Sequence, residues 1–137
     1  MYKYIKNETN IAIIGYGKNL EIAFEEGAKG LFSLMTDTTT VKPKIKIEIE
    51  CKEEDDDNLY VQWLNSLIIE SKIKKIIFTK FKVKKIKHSM LKATIYGDEY
   101  HPRKIKMKNN IKEAVHGISA VGKTKGKVFA RCMVTLE

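Results

Sequence analysis

The side chains that most often carry out acid–base or metal chemistry are few in this sequence and far apart. The three histidines are His88, His101 and His116, and none has a second ligand at the fixed spacing of a zinc site. Cys51 and Cys132 have no CxxC spacing, which favours reduced thiols packed in a core. No nucleophile–base pair or close carboxylate pair is recognisable. The sequence therefore predicts that the protein is not an enzyme.

Two glycine-containing segments share some features of phosphate-binding loops. Residues 15–17 (GYG) lack the further glycine and the Lys-Ser/Thr pair of such a loop, so we interpret them as the turn from a strand into a helix. Residues 122–126 (GKTKG) precede a strand-like alternation, whereas a phosphate loop opens a helix. We therefore predict a hairpin turn there.

The acidic run at residues 53–57 (EEDDD) has two readings. Calcium binding is one, because carboxylates are calcium ligands. Capping of a following helix is the other, because acidic groups at a helix start satisfy its free N–H groups and favour its positive end. We predict capping.

Charge is distributed unevenly along the 137 residues, whose formal net charge is +9. Residues 1–70 hold 8 basic and 13 acidic groups, whereas residues 71–137 hold 18 basic and 4 acidic groups. Such a basic half attracts polyanions, so a phosphate-rich partner is one hypothesis. A solvated strand face is the alternative, because lysines commonly protect exposed strands and few aromatic residues interleave with these lysines in sequence. The candidate contacts with RNA or a partner are Lys80, Lys82, Lys84, Arg103 and His116.

The pattern of apolar residues predicts an α+β fold with two helices packed on a mostly antiparallel sheet, in a single domain over residues 1–137. A first helix follows the N-cap Asn19, and a second begins at Asp57 or Asn58. Strands are predicted at residues 1–6, 11–16, 44–50, 78–83, 91–96, 111–121 and 128–136. No apolar run is long enough for a membrane span and no signal peptide is recognisable, so we expect a cytoplasmic protein with no membrane partner.

Several segments of the sequence together point to one protein family. The most specific are residues 15–24 (GYGKNLEIAF) and 31–37 (LFSLMTD), which resemble the "aYGkTLeEAFe…alFelMTD" block of the archease family. Supporting matches lie at residues 63–65 (WLN), 96–100 (YGDEY), 115–117 (VHG) and 134–137 (VTLE). The resemblance extends over the whole chain and implies an archease-like domain.

The resemblance also implies a divalent-cation site, with calcium the expected ion. Archeases usually carry His-Thr-Ala-Asp before the second strand, and that Asp binds the cation together with an acidic residue near the C-terminus. Residues 7–10 of this chain read NETN, so the implied ligands are Asn10 and Glu137. Because Asn10 supplies an oxygen without a full charge, we expect a weakened or rearranged site.

The function implied by the resemblance is that of an accessory factor. Such proteins help an RtcB-type tRNA-splicing RNA ligase to complete its guanylylation and to act for multiple turnovers, and some are linked to a tRNA methyltransferase. The implied partners are therefore the ligase, tRNA or a tRNA methyltransferase. The alternative function is an RNA-binding or chaperone module for tRNA modification that uses the lysine-rich surface without sequence preference.

Overall fold

The computed structural model describes residues 1–101 and 106–137, without the side chains of residues 117 and 118. It contains seven strands and two helices in this part of the chain. In chain order they are β1 (Tyr2–Lys6), β2 (Asn10–Gly17), α1 (Leu20–Met35), β3 (Ile45–Lys52), α2 (Asp56–Lys74), β4 (Ile76–Val83), β5 (Met90–Glu99), β6 (Ile111–Thr124) and β7 (Lys127–Leu136). The α+β class predicted from the sequence is confirmed.

The strands are divided between two sheets, a distribution that the sequence pattern did not predict. One sheet has the order β1-β2-β7-β6 and the other has the order β3-β5-β4. Every strand pair in the described residues is antiparallel. Both helices pack against both sheets, so a single core lies around the helices and between the sheets.

The first helix explains why two sheets are needed. Its buried residues occupy most of its circumference, whereas one sheet covers a single stripe of a helix. Gly30 of α1 lies against Tyr2 and Ile13 of the four-stranded sheet. Phe32, two residues later, has its ring centroid 5.6 Å from that of Phe78 in the three-stranded sheet. Helix α1 is therefore enclosed from both directions.

The helix starts follow the predicted capping chemistry. Asn19 caps α1 by accepting a hydrogen bond from the Ile22 N–H at 2.9 Å. Helix α2 begins at Asp56, one residue before the predicted range, because the Asp55 carboxylate is the cap and accepts from the Asn58 N–H at 2.8 Å. In the core, the Trp63 indole N–H of α2 donates to the Phe24 carbonyl of α1 at 3.0 Å, which joins the two helices.

The turns agree with most of the sequence interpretation. Residues 122–126 contain the hairpin turn between β6 and β7, with Lys125 and Gly126 at φ angles of 48° and 79°. His88 and Ser89 form the turn between β4 and β5, both at φ 52°. The interpretation of residues 15–17 as a turn was wrong, because β2 continues through Gly17 and the chain turns at Lys18 and Asn19.

Candidate functional site

Asn10 and Glu137, the implied cation ligands, lie at one end of the four-stranded sheet. Asn10 begins β2 opposite Thr135 of β7, and residues directly opposite in an antiparallel pair share a face. Glu137 follows β7, and its N–H donates to the Asn110 carbonyl at 2.9 Å. Its carboxylate is bound by α2, because the Lys72 ammonium lies 2.7 Å from Oε1. The two candidate ligands therefore share one end of the sheet but have different surroundings.

This arrangement does not fit a calcium ion as it stands. Calcium takes roughly six to eight oxygen ligands, and its affinity depends on their charge. In residues 1–101 and 106–137, no three His, Cys, Asp or Glu side chains gather into a group that could hold a metal. The Glu137 carboxylate already has a cationic partner in Lys72. Binding of calcium at Asn10 and Glu137 stays a prediction, and it requires Glu137 to exchange Lys72 for the ion.

A cavity that the sequence did not indicate lies beside Glu137. Its volume is about 460 Å³. Met35 and Ile77 contribute to its apolar lining, and Lys72, Lys75 and Glu137 contribute charged groups. These residues come from three separate elements and the C-terminus. Their residue types are ordinary core and surface residues, so no sequence signal marks the cavity.

His116 and the acidic run meet at the start of α2. The His116 imidazole Nδ1 lies 3.1 Å from the Asn58 side-chain oxygen. Asp56 accepts a hydrogen bond from the Ser89 hydroxyl, and Asp57 accepts one from the Val121 N–H, both at 2.8 Å. The prediction that the acidic run caps a helix is confirmed. These acidic groups attach the start of α2 to both sheets.

The two thiols are held in the protonated form. Burial raises the pKa of Cys132 to about 12, and burial also raises the pKa of Cys51. Because the thiolate is the nucleophilic form, neither thiol is activated for chemistry at neutral pH. Both pack as core residues, as predicted.

The outer face of the four-stranded sheet, on the side away from the helices, is largely apolar. One row across the sheet consists of Ile5, Ala12, Met133 and Val115. The adjacent row carries Ile14 between Lys3 and Arg131. We call this surface, which also includes Tyr16 and Phe129, the apolar face. Ile5 is 46% exposed and Val115 and Met133 are half-buried, whereas Ala12 and Ile14 are buried at 0% and 6% exposure. The apolar surface in contact with solvent is therefore supplied by Ile5, Val115 and Met133.

The outer face of the three-stranded sheet is largely basic. Nine of its positions form three rows of three across the strands: Lys46, Tyr96 and Lys80; then Glu48, Thr94 and Lys82; then Glu50, Lys92 and Lys84. Beyond the third row, Lys52 lies opposite Met90, and both are exposed. We call this surface the basic face. Lys80, Lys82 and Lys84 are all exposed, which agrees with the predicted alternation on β4.

The candidate contact residues are not all brought together. Lys80, Lys82 and Lys84 share the basic face, whereas His116 lies on β6 in the other sheet. Arg103 lies outside the described residues. Two members of the basic face, Tyr96 and Lys46, were missed because they are distant in sequence from the β4 lysines. The sequence shows the alternation within their strands, but it does not show the strand register that makes them neighbours of Lys80.

Two antiparallel sheets that enclose a pair of helices define a class of small α+β proteins. Residues 2–135 match the model of the archease protein family (MTH1598/TM1083). The archease of Sulfolobus acidocaldarius is 30% identical over 136 residues, covering 98% of each chain. The chain belongs to the archease family, as the resemblance in its sequence implied.

Solved structures agree with this assignment. The solution structure of Methanobacterium thermoautotrophicum protein 1598 superimposes with a TM-score of 0.87 at 27% identity and covers 98% of both chains. The crystal structure of a Thermotoga maritima archease, described as a possible chaperone, has a TM-score of 0.55 at 15% identity and covers 100% of this chain and 97% of its own. The second likeness supports the fold alone. Within the described residues, neither helix has the length and apolar character needed to cross a membrane.

Proposed function

We propose that the protein is a cytoplasmic accessory factor, not itself an enzyme, that activates an RtcB-type tRNA-splicing RNA ligase. Its role would be to promote guanylylation of the ligase and so to sustain multiple turnovers. The observation that carries the proposal is membership of the archease family over residues 2–135.

The apolar face is the surface that we assign to the ligase. Contiguous apolar side chains that reach solvent are uncommon on protein surfaces, and such patches commonly mark protein–protein contacts. Ile5, Met133 and Val115 supply this surface, and Lys3 and Arg131 add charge in the neighbouring row. Apolar centres with charged margins are typical of protein interfaces.

The divalent cation is a separate part of the proposal. Asn10 and Glu137 remain its candidate ligands, and calcium remains the candidate ion. Calorimetric titration of the isolated protein with calcium tests this part. Absence of binding at millimolar calcium would remove the cation from the proposal and leave the ligase contact unaffected.

A multiple-turnover RNA-joining assay with the cognate ligase tests the central claim. We expect that added protein increases the number of products formed per ligase molecule and the fraction of ligase that is guanylylated. Serum albumin at the same concentration controls for non-specific protection of the ligase. An unchanged turnover number and an unchanged guanylylated fraction would contradict the proposal.

The second candidate is a module that binds RNA directly, or assists a tRNA methyltransferase, through its lysines. The basic face is the observation that favours it, since Lys80, Lys82 and Lys84 lie side by side on one surface. Stimulation of methylation without stimulation of ligation would favour this candidate. Stimulation of ligation would favour the ligase factor, even if the protein also contacts RNA.

A further inference from the structure

The basic face has an aromatic ring between two lysines. Tyr96 lies on β5, the central strand of the three-stranded sheet, and faces Lys46 on β3 and Lys80 on β4. Neighbouring strands are about 4.8 Å apart, so both lysine side chains rise from positions next to the tyrosine. Tyr96 is half-buried, and its alternation with the buried Ile95 and Gly97 places it on the outer surface of the sheet.

The lysines of this face are available to an external anion. The Lys80 ammonium lies 5.2 Å from the centroid of the Tyr96 ring, a cation–π contact. Within the described residues, Lys46, Lys80 and Lys82 form no ion pair with an acidic side chain. Lys92 pairs with Glu50 at the far row, at 3.7 Å. The positive charge is therefore concentrated along β4 and next to Tyr96.

The spacing of the β4 lysines fits an extended polyanion. Lys80, Lys82 and Lys84 alternate along one strand direction, so successive positions are separated by about 7 Å. Consecutive phosphates of an extended nucleic-acid strand can meet such a row one after another. A row of cations beside an aromatic ring on a sheet surface is the arrangement by which sheets hold unpaired strands, with phosphates on the cations and a base stacked on the ring.

We propose that the basic face binds single-stranded RNA, with one base stacked on Tyr96 and successive phosphates paired with Lys80 and Lys82. On binding, Lys80 exchanges its contact with the Tyr96 ring for an ion pair with a phosphate. Lys46 contacts the strand from the other side of the ring. The choice of RNA over DNA rests on the proposed function, whereas the stacking site rests on the sheet geometry alone.

A protein occupant fits this face less well. The three rows contain five lysines and two glutamates, and the exposed apolar Met90 lies only beyond the third row. Protein interfaces, in contrast, are depleted in lysine and glutamate at their centres. The alternating lysines also match a regular row of negative charges. Phosphates supply such a row in every RNA strand.

Fluorescence anisotropy with a labelled 12-nucleotide oligouridine and the full-length protein, at low salt and without ligase, tests the proposal. We expect Tyr96→Ala to weaken binding about tenfold, because loss of stacking on a base has an effect of that order. Tyr96→Phe, which keeps the ring, should bind as the unmodified protein does. Lys82→Ala should weaken binding and reduce the slope of log affinity against log salt by about 0.7, as expected for one lost phosphate contact on a single strand.

Tyr16 provides the matched control. It is a half-buried tyrosine on the four-stranded sheet with the Lys3 ammonium 5.8 Å from its ring centroid, but it has no row of lysines beside it. Tyr16→Ala should leave oligouridine binding unchanged. An equal loss of binding in Tyr16→Ala and Tyr96→Ala would overturn the assignment to the basic face, and so would unchanged binding in Tyr96→Ala with a folded protein.

Three further outcomes overturn parts of the proposal. Tighter binding of duplex RNA than of oligouridine would overturn the single-strand assignment. Tighter binding of oligothymidine by tenfold or more would overturn the choice of RNA. Absence of oligouridine binding, together with loss of ligase stimulation in Tyr96→Ala, would assign the basic face to the protein partner. Because the binding assay contains no ligase, its failure is distinguishable from failure of the proposed accessory function.

Discussion

The two sheets follow the same alternation of inward and outward residues and cover the same pair of helices, but their outer faces differ in chemistry. A central row of the four-stranded sheet carries Ile5, Ala12, Met133 and Val115. The corresponding row of the three-stranded sheet carries Glu48, Thr94 and Lys82. The inward residues of both sheets are constrained by packing against the helices. The outward residues do not pack against the helices, even where they are buried as Ala12 is, so the two outer faces can differ in chemistry and can suit different partners.

The two sheets also differ in how deeply their cysteines lie. Cys132 is on β7, which has neighbours on both sides, whereas Cys51 is on β3 at an edge of its sheet. Their side chains are 0% and 5% exposed, respectively. Edge strands need fewer broken hydrogen bonds to open. We therefore expect the two sheets to differ in local stability as well as in the chemistry of their outer faces.

The largest effects are expected from one glycine in each sheet whose backbone lies very close to the backbone of a neighbouring element. A Cβ at Gly15 would collide with the Ala23 carbonyl oxygen of α1, and a Cβ at Gly97 would collide with the Ile77 carbonyl oxygen of β4. A backbone carbonyl cannot move aside without distorting its own helix or strand. Gly15→Ala and Gly97→Ala should therefore each lower the free energy of unfolding by about 3 kcal/mol. Urea denaturation measures the change.

Gly126 is the control for these glycines. It has a φ of 79° and no neighbour within 4 Å of an added Cβ, so Gly126→Ala carries only backbone strain, about 1 kcal/mol. Because both helices touch both sheets, we expect one unfolding transition in every variant. Separate transitions for the two sheets in Gly97→Ala would show that the sheets are not one cooperative unit.

Charging the apolar face should remove most of the function assigned to it. The double variant Ile5→Lys, Met133→Lys places two charges in one row of the sheet. We expect ligase stimulation to fall more than tenfold, because an unpaired charge opposes burial at an interface. Oligouridine binding should not weaken, since the basic face is intact. Turnover in the RNA-joining assay and anisotropy measure the two effects.

Ile69→Lys is the matched control for the apolar face. Ile69 is 54% exposed on α2 and is not part of either outer sheet face. Its replacement should leave stimulation unchanged. A similar loss in Ile69→Lys and in the double variant would contradict the assignment of the apolar face to the ligase.

Thiol labelling should distinguish the two sheets by their opening rates. In variants that keep only one cysteine, Cys51 should react with a thiol reagent about tenfold faster than Cys132, because β3 is an edge strand and β7 is not. Single-cysteine variants made by Cys51→Ala and Cys132→Ala allow the rates to be compared at one pH. Equal rates would show that both thiols are exposed by the same global unfolding.

The Cys132 thiol should also make folding less stable at alkaline pH. Its pKa is about 12 in the folded protein, against an ordinary value of 9.0. Between these values the unfolded chain binds fewer protons than the folded chain, so stability falls as pH rises, by at most about 1.4 kcal/mol per pH unit. Below pH 9 the thiol is protonated in both the folded and the unfolded chain, and its contribution to stability is fully present. In the Cys132→Ala variant, the free energy of unfolding measured by urea denaturation should therefore fall less between about pH 9 and 10 than it does in the unmodified protein.

The smallest effect is expected at the Lys72–Glu137 pair. Both side chains are about half exposed, so the pair contributes little to stability. If calcium binds at Glu137, Lys72→Ala should increase calcium affinity a few-fold, because the competing cation is gone. Lys74→Ala is the control, since Lys74 pairs with Glu70 instead. Equal or weaker affinity in Lys72→Ala, measured by calorimetry, would contradict a site at Glu137.

The sequence by itself predicted the elements and their class. Alternation together with turn-forming residues located the seven strands, the helical stripe after Asn19 located α1, and the acidic run marked the start of α2 within a residue or two. The archease-like block identified the family. These features are local, because hydrophobic period and capping depend on residues a few positions apart.

The tertiary structure alone decided the number of sheets and the neighbours across each sheet. Sequence interpretation found few aromatic residues among the lysines, yet register places Tyr96 between Lys46 and Lys80. Packing of α2 against the four-stranded sheet likewise brings Lys72 to Glu137, 65 residues apart. Strand pairing is set by packing between distant segments, and a shift of one residue would turn every side chain to the opposite face. The surfaces on which partners depend were therefore decided by register, which no local pattern contains.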